Sequence, residues 1–198
     1  FLKGFLFFSY FDVSSIFTTF TESSSVKKTL VLFAHPFLEF SDNSRELTNF
    51  YERHQHYTFR DLYEEYPDFH VQAFRERKRL KDYDRFIFHF PLIWFGMPPL
   101  LRLWLDEVVD GNWLKDPLQN PFYGKEIFIL VTTRSKQRSF GRNGKHHYSV
   151  EELISGLLVS LHIFKADIKN IYIVYEAENL SKKEIIIHKQ KFSEILNR

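Results

Sequence analysis

The sequence predicts an α/β protein, a three-layer sandwich around a five-stranded parallel sheet, and two observations predict it. Several short apolar runs lack the alternation of a half-exposed strand, as expected for strands buried on both faces. Between them lie segments of helical spacing that open with recognisable start signals. Strands separated by helices imply parallel pairing, right-handed crossovers and helices on both faces.

The elements follow in order. Thr29–Ala34 (TLVLFA) is the first strand. Asn43 and Glu46, just after Ser41, start a helix expected to run to about Arg53. Tyr57–Tyr63 (YTFRDLY) alternates enough for a second strand, and His70–Lys81 is a polar helix. Arg85–Phe90 (RFIFHF) is the third strand and Pro98–Asp110 the helix after it. Lys125–Thr132 (KEIFILVT) is the fourth strand. Ser149-Val-Glu-Glu152 is a capping box for a helix to about Phe164. Ile168–Val174 is the fifth strand, and Ser181-Lys-Lys-Glu184 caps a last helix.

At 198 residues the chain suits one domain, assigned to residues 26–198, preceded by an extension at 1–25. That extension is Phe-rich, broken by Asp12 and closed by a serine run. It is too interrupted for a transmembrane helix and lacks the marks of a signal peptide. It is expected to pack on the domain or on a neighbouring chain, with a membrane anchor as the alternative. A net charge of +2, with no stacking or basic-helix motif, argues against nucleic acid. Zero cysteines exclude disulfides, iron–sulfur clusters and cysteine nucleophiles, which fits a reducing cytoplasm.

Ligands of such sheets bind at the carboxyl ends of the strands. The informative loops are therefore 35–43, 91–97 and 133–147. In the first, Ser41 and Asn43 offer side-chain donors beside the free N–H groups of a helix start, which suit a phosphate; the same residues also serve as plain caps. Asp42 is expected to point outward. In Pro91-Leu-Ile-Trp-Phe-Gly-Met-Pro-Pro99, Pro91 shapes the strand exit, Gly96 permits a tight turn, and the two closing prolines suit a first helical turn. The loop then presents backbone N–H groups of Leu92, Ile93, Trp94 and Phe95 beside aromatic walls, a setting for a flat heterocycle or simply an aromatic core loop. Leu100, Leu101 and Trp104 behind it form a core or subunit-interface stripe. Residues 134–145 hold five Lys or Arg and no acid, either a solvated loop or an attractor of anions. No GxGxxG, Walker A, GxSxG or HExxH motif is present, and the paired histidines lack carboxylates at ligand spacing, so no metal site is assigned.

Leu30–Pro36, Ser41-Asp-Asn43, DLYEEYPDF at 61–69, PLIWFGMPPLLRLWLDEV at 91–108 and Thr132-Thr133 together resemble the flavodoxin-like NAD(P)H:quinone dehydrogenase family. That family includes DT-diaphorase and the ancillary flavoproteins of glutathione-gated potassium efflux. The resemblance implies a flavodoxin-like sheet in order 2-1-3-4-5, bound FMN or alternatively FAD, and a homodimer with the stripe helix near its interface. It implies His35, Ser41 and Asn43 at the ribityl and phosphate end of the flavin. Pro91 to Phe95 then line the ring, with Thr132 and Thr133 at its pyrimidine side. A flavoenzyme of this kind takes hydride from NAD(P)H and passes two electrons to a quinone or similar acceptor.

This chain departs from the family at Arg134-Ser135 and at Phe140, and keeps a family-like residue at His146. Thr132-Thr133 continues as Arg134-Ser135 where relatives have two glycines. Arg134 must therefore swing outward for the backbone to reach the ring. Phe140 stands where relatives often have tyrosine, and His146 where some place histidine or asparagine, the latter assigned a catalytic role in stabilising charge on the flavin. The alternative function is an ancillary subunit of a potassium-efflux transporter with weak or no turnover, cytoplasmic and peripheral to the inner face of the membrane.

Overall fold

The computed structural model describes residues 27–52 and 54–197; the extension assigned to residues 1–25 lies outside them. Strands β1 (Thr29–Phe33), β2 (Tyr57–Asp61), β3 (Arg85–Pro91), β4 (Glu126–Thr132) and β5 (Asp167–Val174) form one sheet in order β2-β1-β3-β4-β5. All pairs are parallel, so the expected order holds and the strand order reverses at β1. Helices α1 (Asp42–Glu52), α2 (Leu62–Glu65), α3 (Ala73–Leu80), α4 (Pro99–Val108), α5 (Val150–Leu153), α6 (Ser155–Ile163) and α7 (Lys182–Leu196) cover it.

The strand period of two sends alternate residues to opposite cores. Leu30, Leu32, Phe86, Phe88 and Ile129 pack on one face with α4 and α6. Val31, Ile87, Phe128 and Leu130 pack on the other with Leu47 and Tyr51 of α1 and Phe192 of α7. Both cores need apolar residues, which is why β1 is buried at every position and reads as a continuous apolar run. β5, at the sheet edge, keeps Asp167 and Lys169 exposed.

Both capping boxes form, at Ser149 with Glu152 and at Ser181 with Glu184. Several boundaries differ from expectation by one to three residues, α4 among them, ending at Val108 and not Asp110. β2 stops at Asp61, because the Asp61 carboxylate accepts the Tyr63 N–H at 2.9 Å and starts α2. The polar helix begins at Ala73, not His70. The 149–164 helix steps at Ile154, which leaves helical geometry (ψ 13°) while its N–H still bonds Val150 O.

In the α4 stripe, Leu100, Leu101 and Trp104 are fully buried in the chain's own core, the core alternative of that expectation. Trp104 is held inward by Glu76, whose buried carboxylate accepts its indole N–H at 3.1 Å. The same carboxylate accepts from Arg60 at 2.9 Å, from the Tyr66 hydroxyl at 2.7 Å and from Arg79 at 2.5 Å. Arg60 also pairs with Glu65. The DLYEEYPDF segment thereby locks to α3 and α4, fixing the helix that follows the β3 loop.

Candidate functional site

β1, β3 and β4 end side by side, and their loops meet over the switch point. At the exit of β3, Leu92 N–H donates to Thr132 O at 2.8 Å, carrying the pairing one residue beyond Pro91. Ile93 and Gly96 then exchange two hydrogen bonds of 2.9 Å. Trp94 (φ 45°) and Phe95 (φ 62°) sit between them, both left-handed, as in a type I′ turn. Two bulky residues held this way cost on the order of 1–3 kcal/mol each. Gly96 is the pairing residue beside the turn and its φ is not left-handed, so the conformational freedom expected of it is not used.

The N–H groups of Leu92 and Ile93 are thus committed within the chain, against expectation. Those of Trp94 and Phe95, at the tip, donate to nothing among the described residues. The turn is a rigid mount for two backbone donors, with the Trp94 side chain almost wholly exposed.

Two adjoining hollows share Leu92, Thr133 and Arg134. The larger, about 170 Å³, adds Trp94, Phe95, Ser135 and Phe140. The smaller, about 40 Å³, adds His35, Phe37, Ser44, Pro91, Ile93, Thr132, Ala177 and Glu178. Ser41, Asn43 and His146 line neither. Ser41 stands behind Ser44 and donates to its Oγ at 2.7 Å. Asn43 donates to Ala177 O at 2.9 Å and Leu180 O at 3.0 Å, so its amide ties the segment carrying Glu178 to α1. His146 stands behind the larger hollow, its ring 4.9 Å from that of Phe95 and 5.0 Å from that of Phe140.

His35 is buried, and burial pushes its pKa down to about 4. Its Nδ1 accepts the Phe37 N–H at 3.2 Å, which places the single ring proton on Nε2 as a donor. Thr133 is fixed by its own backbone: its N–H donates to Val174 O and its carbonyl accepts from Ala177 N, both at 2.9 Å. The Arg134 side chain is 78% exposed, and its Nε donates to Glu178 at 2.6 Å. Asp42 also points away, 93% exposed and paired with Arg45.

Ser44, Phe37 and Glu178 line the site without having been singled out from sequence, and Ser135, marked there as a departure, lines it too. Ser44 had a signal, since it lies one helical turn from Ser41; Glu178 reaches the cleft only through the segment after β5, which no local pattern marks. Among the described residues, no three possible metal ligands converge.

The donor set fits a flavin nucleotide. Two rigid backbone N–H groups face a hollow walled by aromatics, which suits a planar ring with acceptor atoms on its edge. Ser44, in the first turn of α1, lines the adjoining hollow, which suits a phosphate tail. With Arg134 turned out, the place where relatives keep two glycines is not filled by a charged side chain.

A family model described as flavodoxin-like fold matches residues 27–196. General stress protein 14 of Bacillus subtilis is 34% identical over 83% of this chain and 93% of its own length. An uncharacterized NAD(P)H oxidoreductase of the same organism, YdeQ, is 33% identical over 80% of each chain. The glutathione-regulated potassium-efflux ancillary protein KefG of an Enterobacter species is 27% identical over 87% of this chain and 94% of that one. Among solved structures, general stress protein 14 of Treponema denticola in complex with FMN superposes with a TM-score of 0.78 at 24% identity, covering 86% of this chain and 98% of that one.

Proposed function

The chain belongs to the flavodoxin-like fold family, and from that premise we propose that it is an NAD(P)H oxidoreductase that uses FMN to reduce a quinone or similar acceptor. The observation that carries this reading is the strained Ile93–Gly96 turn, with two uncommitted N–H donors at the lip of an aromatic hollow. Strain of that kind persists where function needs the geometry. The oxidoreductase relative and the FMN-bound neighbour support it, and the latter favours FMN over FAD.

When bound, the flavin supplies the chemistry of accepting a hydride and releasing two electrons. The chain's residues do the rest. Trp94 and Phe95 donate backbone N–H groups to acceptor atoms on the ring edge, while Leu92 and Phe140 exclude water from its faces. Ser44 and the start of α1 hold the phosphate, and neutral His35 donates through Nε2 towards the tail. The nicotinamide and the acceptor use the same open face in turn.

Exposed Phe37, Trp94 and Phe95 border the cleft, and this apolar surface supports a homodimer that partly covers it. No helix of the described residues is long and apolar enough to cross a membrane. We place the protein in the cytoplasm, which its lack of cysteine supports. The similarity to KefG supports a second reading, an ancillary subunit docked on a potassium-efflux transporter. Steady-state assay of the FMN-loaded protein with NADPH and a soluble quinone separates the two. Sustained turnover is expected; a loaded protein that reduces no acceptor leaves only the ancillary reading.

A further inference from the structure

Ser135 occupies the cleft position where a side chain is least expected, and three contacts fix it there. Its N–H donates to Thr133 Oγ1 at 3.2 Å, and its carbonyl accepts from Glu176 N at 3.2 Å. Its Oγ lies 3.1 Å from His146 Nε2. The imidazole is itself held, between the rings of Phe95 and Phe140 and by its backbone N–H to Ser139 O at 2.8 Å. Ser135 lines the larger hollow; His146 does not, and its Nδ1 has no partner among the described residues.

A hydroxyl has one proton and a neutral imidazole has one N–H, so the pair has two states. With the proton on Nε2, His146 donates to Oγ and the Ser135 hydroxyl hydrogen is free for an acceptor in the cleft. With the proton on Nδ1, Nε2 accepts the hydroxyl hydrogen and Oγ offers only lone pairs.

We propose that Ser135, aimed by His146, is the chain's side-chain donor to the flavin ring and that the pair favours the reduced ring over the oxidised one. The inference rests on the FMN reading above. Hydride addition to a neutral ring leaves one net negative charge on it, with the nicotinamide released as a cation. The free Ser135 hydroxyl meets that charge with a hydrogen bond, stronger than to a neutral acceptor. His146 is thus a positioning residue, and the group that touches the ring is Ser135.

The test is the midpoint potential of bound FMN, measured together with its affinity, in the wild type, Ser135→Ala, Ser135→Thr, His146→Ala and the double alanine variant. Ser135→Ala and His146→Ala are each expected to weaken binding of reduced relative to oxidised FMN about tenfold, a fall of about 30 mV for a two-electron couple. The double variant is expected to lose no more than Ser135→Ala alone, because His146 acts only by aiming the Ser135 hydroxyl. Ser135→Thr, which keeps the hydroxyl, is expected to retain the wild-type potential. In FMN-free protein, the His146 ring nitrogen NMR signals are expected to shift in Ser135→Ala. FMN bound by Ser135→Ala at an unchanged potential overturns the proposal and leaves the FMN reading intact. A wild type that binds no FMN overturns both.

Discussion

Glu76 lies in a helix whose sequence, AFRERKRL, reads as a solvated surface, yet it is fully buried and accepts from Arg60, Arg79, Tyr66 and Trp104. Nothing local distinguishes it from its charged neighbours, because its partners lie on other elements. Replacing Glu76 by Gln is expected to destabilise the fold by about 1–3 kcal/mol, since it removes the buried charge that Arg60 and Arg79 share and leaves Arg60 with Glu65 alone. Urea unfolding measures this, and a loss below about 1 kcal/mol contradicts the assignment. His35 and His89 are also buried, with pKa values pushed down to about 4 and about 3 by desolvation. Above pH 6.5 both are neutral, folded or unfolded, and contribute no pH dependence. Below 6.5 the unfolded chain binds protons that the folded chain refuses, so stability falls with pH. At pH 5 the loss is roughly 2 kcal/mol for each histidine. The urea midpoint is therefore expected to drop between pH 6.5 and 5, and to drop less in a His89→Gln variant that still folds. Arg134, visible in the sequence as a departure, has a direction that only its partner Glu178 sets. Arg134→Gly is expected to change FMN affinity less than threefold; a gain of tenfold or more means the side chain blocks the ring.

At the scale of elements, the strands and caps were legible because their signals are short-range. Apolar runs marked β1, β3 and β4, and Ser-x-x-Glu marked both capping boxes where they form. The turn at Trp94-Phe95 was not legible as a type I′ turn, since Asn-Gly is its usual mark and here two aromatics bear positive φ. The loop's resemblance pointed to residues that line the hollow but credited Gly96 with the turn and Leu92 and Ile93 with free donors. Tertiary pairing to Thr132 O and the Ile93–Gly96 exchange decide that instead. The stripe of α4 was correctly apolar, but a helical pattern alone does not tell a core from an interface. If the turn holds strain for function, Phe95→Gly relieves it. That variant is expected to unfold at a higher urea concentration, by about 1 kcal/mol, while binding FMN at least tenfold more weakly. Equal or lower stability argues that the left-handed geometry costs nothing here.

The whole molecule follows from a sheet whose order reverses at β1, which opens one crevice over the ends of β1, β3 and β4. Strand–helix alternation made that architecture legible, and the loop motifs placed the cleft. The segment after β5, which brings Ala177 and Glu178 to it, was legible in neither way, since Asn43 is what docks it. Sedimentation at micromolar concentration is expected to give twice the chain mass, and a single-chain mass contradicts the proposed dimer. The claim on which the rest depends is that this crevice holds a flavin. Titrating FMN into the purified protein while following FMN fluorescence tests it most directly. The expected result is saturable quenching at one FMN per chain with a dissociation constant in the micromolar range or below, weakened by Phe95→Gly. Quenching that rises linearly without saturating, or that the Phe95→Gly variant reproduces unchanged, contradicts it.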